Sequence, residues 1–227
     1  MSRYTASLAL ATVLVLAIGA TAWAAPSVLG PSGNILTPDD TILASGAFNL
    51  AYHGISLDND TVSFFSANIG LFPNLEVGAT VATDGNTDVL VNAKYRVLTE
   101  AASRPAVTVG VIDIGQQLTP DSGFFILLSK SLTPMVESAT EKSVGPVRGH
   151  LGFGSGALMT IFAALDWTAT PKLTIMAEII SDSQFGGNDS LFNFGARYAL
   201  ANNIRLDLGV IDLDNFTYGI SYQALKY

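Results

Sequence analysis

From residue 47 onward the chain alternates. Phe48, Leu50 and Tyr52 take one parity and Asn49 and His53 the other, and Phe65, Ala67, Ile69 and Leu71 oppose Ser66 and Asn68. Leu75, Val77, Ala79 and Val81 oppose Glu76 and Thr80, while Val91, Ala93, Tyr95 and Val97 oppose Asn92, Lys94 and Arg96. The pattern returns late in the chain. Ile161, Ala163, Leu165 and Trp167 stand against Asp166 and Thr168, Phe192, Phe194, Ala196, Tyr198 and Leu200 against Asn193 and Arg197, and Ile204, Leu206, Leu208 and Val210 against Arg205 and Asp207. A period of two is that of a strand whose faces meet different surroundings. It predicts twelve strands, at 47–56, 61–72, 75–83, 88–98, 106–115, 124–132, 145–153, 158–168, 173–181, 191–200, 204–212 and 216–225. Most have the length of about 9 to 11 residues that a tilted strand needs to cross a bilayer. The sixth, "FFILLSKSL", is apolar on both faces.

Four strand segments recur in order, within three runs. "GLFPNLEVGATV", "VNAKYRVL" and "PAVTVGVIDI" are echoed by "TATPKLTIMAEI", "NFGARYAL" and "ANNIRLDLGVIDL". Pro73 and Pro171 are offset by 98 residues, Tyr95 and Tyr198 by 103, and Ile112 and Ile211 by 99. The expected fold is all-β: an antiparallel up-and-down transmembrane barrel of about twelve strands with an internal four-strand repeat.

A soluble sandwich would share the alternation, so the connections must separate the two. In a membrane barrel with its termini in the periplasm, even-to-odd connections are short turns. Phe72-Pro73-Asn74, Thr170-Pro171-Lys172 and Ala201-Asn202-Asn203 fit as three-residue loops, because a two-residue loop would pair positions of opposite face. That register sets Leu200 opposite Ile204, Tyr198 opposite Leu206 and Arg197 opposite Asp207. Charge sorts the same way. The expected outer loops hold Asp58, Asp60, Asp84, Asp88, Asp113, Asp121, Asp182, Asp189, Asp212 and Asp214, with no Lys or Arg. Arg96, Arg104, Lys130, Lys142, Arg148, Lys172, Arg205 and Lys226 fall near the expected inner rim. A sandwich has no reason to sort charge by alternate connections.

Composition adds location. Residues 6–23 are apolar, follow Arg3 and run into "AWA", the pattern of a signal peptide (1–24) cut between Ala24 and Ala25. Residues 25–46, rich in Pro, Gly, Asp and Ser, read as an irregular periplasmic lead-in to the barrel of 47–227. There is no cysteine, so no disulfide, thiolate metal site or lipid-anchored cysteine is available. Loss of Arg3 takes the eleven basic residues to ten against nineteen acidic ones, a net charge of −9 that argues against nucleic acid as a partner.

The candidate functional residues are those that would line the lumen: Glu76, Lys94, Arg96, Asp166, Glu178, Arg197, Arg205 and Asp207. They could line a narrow pore, or close it together with the lead-in. Asp58, Asp60, Asp113, Asp212 and Asp214 form an acidic outer rim able to hold divalent cations loosely, with Asp113 and Asp212 ending the two "GVID" runs. Tyr95 and Tyr198 suit an interfacial girdle. His53 and His150 fall on strands one and seven, on opposite walls, too far apart to share a metal. Ser155, in "GFGSG", lacks the strand-to-helix context of a nucleophile elbow, and no helix follows to cradle a phosphate. No catalytic constellation, cofactor or metal site is expected.

On these features residues 47–227 resemble bacterial outer-membrane β-barrels. The lead-in "GPSGNILTPDDTILASGAFNLAYH" looks like the start of YjbH-like barrels linked to exopolysaccharide production. The resemblance implies a non-enzymatic protein in the outer membrane of a diderm bacterium, structural or a narrow passive channel, accessory to envelope polysaccharide. Its partners would be outer-membrane lipid and the barrel assembly machinery. Such barrels usually end in Phe; Tyr227 stands here, and Leu225 and Tyr227 are out of register with Phe216, Tyr218, Ile220 and Tyr222. The alternatives are an outer-membrane enzyme acting on lipid or glycan and a soluble periplasmic β-domain binding an apolar ligand.

Overall fold

The alternating segments pair edge to edge until none is left with a free edge. The computed structural model describes residues 23–57, 60–83, 87–117, 120–158, 160–181 and 190–224. Its strands are β1 (Phe48–Leu57), β2 (Asp60–Phe72), β3 (Leu75–Thr83), β4 (Thr87–Leu98), β5 (Ala106–Ile112), β6 (Gly123–Ser131), β7 (Val147–Gly154), β8 (Thr160–Thr170), β9 (Leu173–Ile180), β10 (Leu191–Ala201), β11 (Ile204–Ile211) and β12 (Asn215–Ala224). Each pairs antiparallel with its sequence neighbours, and β12 returns to β1, closing the barrel. Among the described residues one short α-helix, α1 (Thr133–Thr140), lies between β6 and β7. Residues 1–22 of the expected signal peptide, Asp58, Asp84, Asp182, Asp189 and Leu225, Lys226 and Tyr227 lie outside the described residues.

Strand ends moved where the backbone turned. β5 stops at Ile112 because Asp113 takes φ 55°, a left-handed conformation that breaks the ladder. β8 starts at Thr160 because Gly156–Leu158 forms a 3-10 turn. The tight turns differ from the three-residue loops expected. Each has two residues, Pro73-Asn74, Pro171-Lys172 or Asn202-Asn203, and the strand before it carries a bulge, at Leu71, Ala169 and Leu200. The bulge absorbs the odd residue and keeps the faces in phase. Ile204 therefore lies opposite Ala201, not Leu200, while Tyr198–Leu206 and Arg197–Asp207 pair directly. Connection length does not distinguish the two ends of the barrel: the 212–214 connection is short at the far end, and the longest, 132–146, is at the end bearing the termini.

One parity points out. Phe65, Phe72, Phe124, Phe192, Phe194, Leu200 and Leu208 are among many large apolar side chains left exposed around the outer wall. A water-soluble protein rarely exposes so much contiguous apolar surface, and lipid is the solvent that suits it. The other parity fills the interior, which divides in two. Toward the far end, Phe64, Leu90, Phe125, Leu127, Phe162 and Ile180 pack into an apolar core. Toward the terminal end the wall is polar, and its space is taken by residues 24–46.

Candidate functional site: a lumen closed by the N-terminal segment

The lead-in is inside the barrel. It enters at the terminal end, where Ala24 N–H donates to Gln223 Oε1 (3.0 Å) and Asn49 Nδ2 donates to the Ala24 carbonyl. At its tip Val28, Leu29, Ile35 and Leu36 join the apolar core. It then returns, so that Gly46 N–H reaches the Gly70 carbonyl (2.7 Å) and β1 begins. Residues 24–37 are all buried. Gly30 makes the close approach possible: its φ is 114°, and a Cβ there would collide with Thr80 Oγ1 and lie 2.8 Å from Asn92 Nδ2.

An irregular segment brings unpaired backbone groups, and burial makes them costly unless the wall supplies partners. Four charged side chains do so. Glu178 accepts from the N–H groups of Ile35 (2.7 Å), Leu36 (3.0 Å) and Thr37 (3.1 Å) and from Thr37 Oγ1 (2.8 Å), with Asn193 Nδ2 steadying it at 3.1 Å. Three successive N–H groups around one carboxylate form an anion nest. Glu76 accepts from Ser32 N–H and Oγ–H, both at 2.8 Å, and from Leu43 N–H at 3.1 Å. Lys94 donates to the carbonyls of Ser32 and Asp39 and stands 3.4 Å from Asp39 Oδ1. Arg197 donates to the carbonyls of Gly33 (3.0 Å) and Asn34 (3.3 Å) while its Nε meets Asp207 Oδ1 at 2.6 Å. Carboxylates hold the segment's donors and cations hold its acceptors. Glu76, Lys94 and Glu178 are 0%, 1% and 4% exposed, a burial that charged groups tolerate only when so fully bonded.

A second group holds the returning limb. Arg148 pairs with Asp40 (2.9 Å) on the segment and Glu100 (2.9 Å) on the β4–β5 connection. Burial pushes the Glu100 carboxyl up, but Ser131 N–H, Arg148 and Lys130 outweigh it and hold it below the ordinary value. Asp39 is likewise pushed up by burial and brought below its ordinary value by Lys94, His150 and Thr41.

The remaining expected residues fall as follows. Arg96 binds Asn74 Oδ1 in the β2–β3 turn (2.9 Å) and does not touch the segment. Arg205 stacks 3.8 Å over the Trp23 ring and donates to the Ala201 carbonyl. Asp166 meets His150, and Asp207 meets both Arg197 and His53. At the far end Asp60, Asp212 and Asp214 are exposed. Asp113 is not on that rim: it is fully buried, with Oδ1 accepting Gln117 N–H at 2.8 Å. Its left-handed backbone folds the carboxylate back onto the connection that follows.

One constellation was missed from sequence. Ser129 Oγ lies 2.7 Å from His150 Nδ1, and His150 Nε2 lies 2.8 Å from Asp166 Oδ2. These partners assign Nε2–H donating to Asp166 and Nδ1 accepting from Ser129. The signal was the shared inward parity of the three on adjacent strands β6, β7 and β8. The order of groups is that of a nucleophilic triad, but Ser129 itself is buried, 1% exposed. Here it acts as a cross-strand polar ladder beneath the N-terminal segment.

With this geometry the fold is that of the outer-membrane porin barrels. The chain is similar to the KdgM porin, with a TM-score of 0.54 at 12% identity over 79% of this chain and 99% of that one. It is similar also to the KdgM porin in complex with disordered oligogalacturonate, at 0.51 and 13% identity over the same shares. A third similarity is to the NanC porin, at 0.49 and 10% identity over 79% of this chain and 100% of that one. No protein-family model matches the chain, and no curated protein matches it in sequence.

Proposed function

We propose that this protein is a non-enzymatic outer-membrane barrel, a narrow passive channel shut at rest by its own N-terminal segment. The observation that carries this reading is the seating of residues 25–46 in the lumen through charged wall residues. Those polar contacts can be exchanged for water, while the apolar packing of Val28, Leu29, Ile35 and Leu36 at the tip holds the closed state. Buried groups along the seam without a protein partner, among them Ser27 Oγ and both side-chain polar atoms of Asn92, suit a hydrated boundary between plug and wall. The apolar outer band and the porin-like fold support residence in the outer membrane after removal of a signal peptide, with the termini in the periplasm.

The test is conductance of the refolded protein in planar bilayers. The wild type should be silent, and a variant lacking residues 26–42 should conduct. A second reading, a structural barrel with no open state, is favoured by the apolar core of the far half, which could stay dry without the plug. It requires both proteins to be silent. The resemblance of Gly30–His53 to YjbH-like barrels supports a role alongside envelope polysaccharide, and those residues are chiefly the plug and the start of β1. Loose divalent-cation binding at the outer rim belongs to Asp60, Asp212 and Asp214 in this reading.

A further inference from the structure

Small side chains open a groove in the lipid-facing wall. Gly149 on β7, Ala163 on β8 and Ala177 on β9 share the outward parity, with Leu151 opposite Ala163 and Leu165 between Gly149 and Ala177. Phe192 and Phe194 of β10 rise beside them, half-exposed. Together they line an apolar groove of about 600 Å³ across β6 to β10. Leu132 closes its terminal end, lying over Gly149, where a Cβ would stand 2.8 Å from Leu132 Cδ1. Pro105 and Lys130 complete that edge. A dent of this kind left unfilled forfeits dispersion attraction along its lining.

The groove ends at charge. Lys130, outward on β6, donates to the carbonyls of Ala101 (2.6 Å) and Ala102 (3.1 Å) and stands 3.4 Å from Glu100. Those bonds fix the 101–104 turn, which is itself closed by paired backbone bonds between Ala101 and Arg104, both 3.1 Å. The turn presents Arg104, which is exposed. Among the described residues no carboxylate lies within ion-pair distance of it. A positioned, unanswered guanidinium at the polar end of an apolar groove complements a phosphate joined to an acyl chain. A second copy would answer it poorly, because the strand carboxylates, from Asp60 to Asp207, all take the inward parity. Two other outer grooves, over Gly110 and over Gly78, have no cation in their lining.

We propose that this groove is a binding site for one anionic phospholipid from the leaflet at the terminal end. An acyl chain lies over Gly149, Ala163 and Ala177, and the headgroup phosphate takes the Arg104 guanidinium two-pronged. Lys130, its charge shared with Glu100, adds field more than contact. The site is on the outside of the barrel, so it rests on the membrane-embedded wall and not on the plug.

The test uses tryptophan fluorescence. The full chain with Trp23→Phe keeps one tryptophan, Trp167, which stands outward, 39% exposed, one pairing row nearer the rim than Leu165. Phosphatidylglycerol brominated on its chains, titrated into this parent in detergent, should quench Trp167 saturably. Phosphatidylcholine with the same chains should bind about fivefold more weakly, the worth of one cation near an anionic headgroup. Arg104→Gln should bring the two lipids level. Ala163→Leu with Ala177→Leu fills the floor and should abolish saturation by both lipids, while Ala79→Leu, on β3 across the barrel, should change neither. Heat-modifiable gel migration confirms the barrel in each variant. Unsaturable quenching in the parent, equal affinity for the two lipids, or undiminished saturation in the filled variant overturns the site. So does a dimer in detergent that the filled variant dissolves, which assigns the groove to a second copy. A parent that refolds into vesicles without selecting either lipid keeps the membrane reading and loses the site, whereas failure to enter vesicles would strike the membrane reading itself.

Discussion

Removing the Glu178 carboxylate should unseat the plug. In the folded barrel it accepts from Ile35, Leu36 and Thr37 N–H and from the Thr37 hydroxyl, all within 3.1 Å. Each hydrogen bond to a charged group contributes about 1.5–3 kcal/mol net, but four on one carboxylate do not add. Glu178→Ala strips three buried N–H groups of their acceptor. The better guide is the cost of removing one member of a buried charged network, about 3–5 kcal/mol. Those N–H groups recover water when the plug leaves, so the cost falls on the seated state alone. At about 1.4 kcal/mol per tenfold, the unseated population should rise by about two to three and a half decades, roughly 10²- to 4 × 10³-fold. The chain contains no cysteine, so a single reporter is free of background. Ser27→Cys is suitable, because Ser27 is fully buried and its hydroxyl has no protein partner. Maleimide labelling then reads the open population where opening is fast relative to labelling. The rate should rise by that factor in Glu178→Ala and by less in Glu178→Gln, which keeps one acceptor oxygen. A rise below about threefold in Glu178→Ala, with the barrel still heat-modifiable, would refute the clamp.

Other consequences are separately measurable. Gly30→Val puts a Cβ onto Thr80 and a side chain on a φ of 114°, so the Ser27→Cys reporter should again label faster while the barrel persists. Glu100 has a folded value below its ordinary 4.5. Its tie to Arg148 and Ser131 is therefore intact above that value and lost as pH falls through the lower folded one, and Glu100→Gln should flatten that part of a thermal melt series. On the lipid face, Ala196→Arg should destabilise refolding into vesicles by about 2–4 kcal/mol and Tyr198→Arg, nearer the terminal rim, by about 0–1. Equal costs would argue against an embedded face.

The wall was legible because alternation is a statement about two environments, and β1 to β4 keep the parity read from Phe48, Phe65, Leu75 and Val91. Strand ends were less so. Asp113 looked like one more loop aspartate, and only its left-handed backbone turned the carboxylate inward. The bulges at Leu71, Ala169 and Leu200 were hidden because a two-residue turn with a bulge and a three-residue loop keep the same faces in phase. The sixth strand's double apolar character has its reason inside: Phe125 and Leu127 belong to the core while Phe124 and Ile126 stay outside.

The plug could not be read from the wall, and the reason is physical. Inward parity requires of Glu76, Lys94, Glu178 and Arg197 only that they avoid lipid, and water in a pore would satisfy them as well as a peptide does. The distinguishing information lay in the segment before the barrel. Residues 25–46 have the Pro, Gly and Ser content of a chain that cannot pair its own backbone. In solution such a chain needs no partner, but inside a barrel its N–H groups need fixed acceptors and its carbonyls fixed donors. Two inward carboxylates and two inward cations in the terminal half provide both, where a wide aqueous pore would need neither pairing. Complementarity between an unpairable segment and an over-charged narrow lumen is therefore a signal that can be sought in sequence. It appears only when the two stretches are read together.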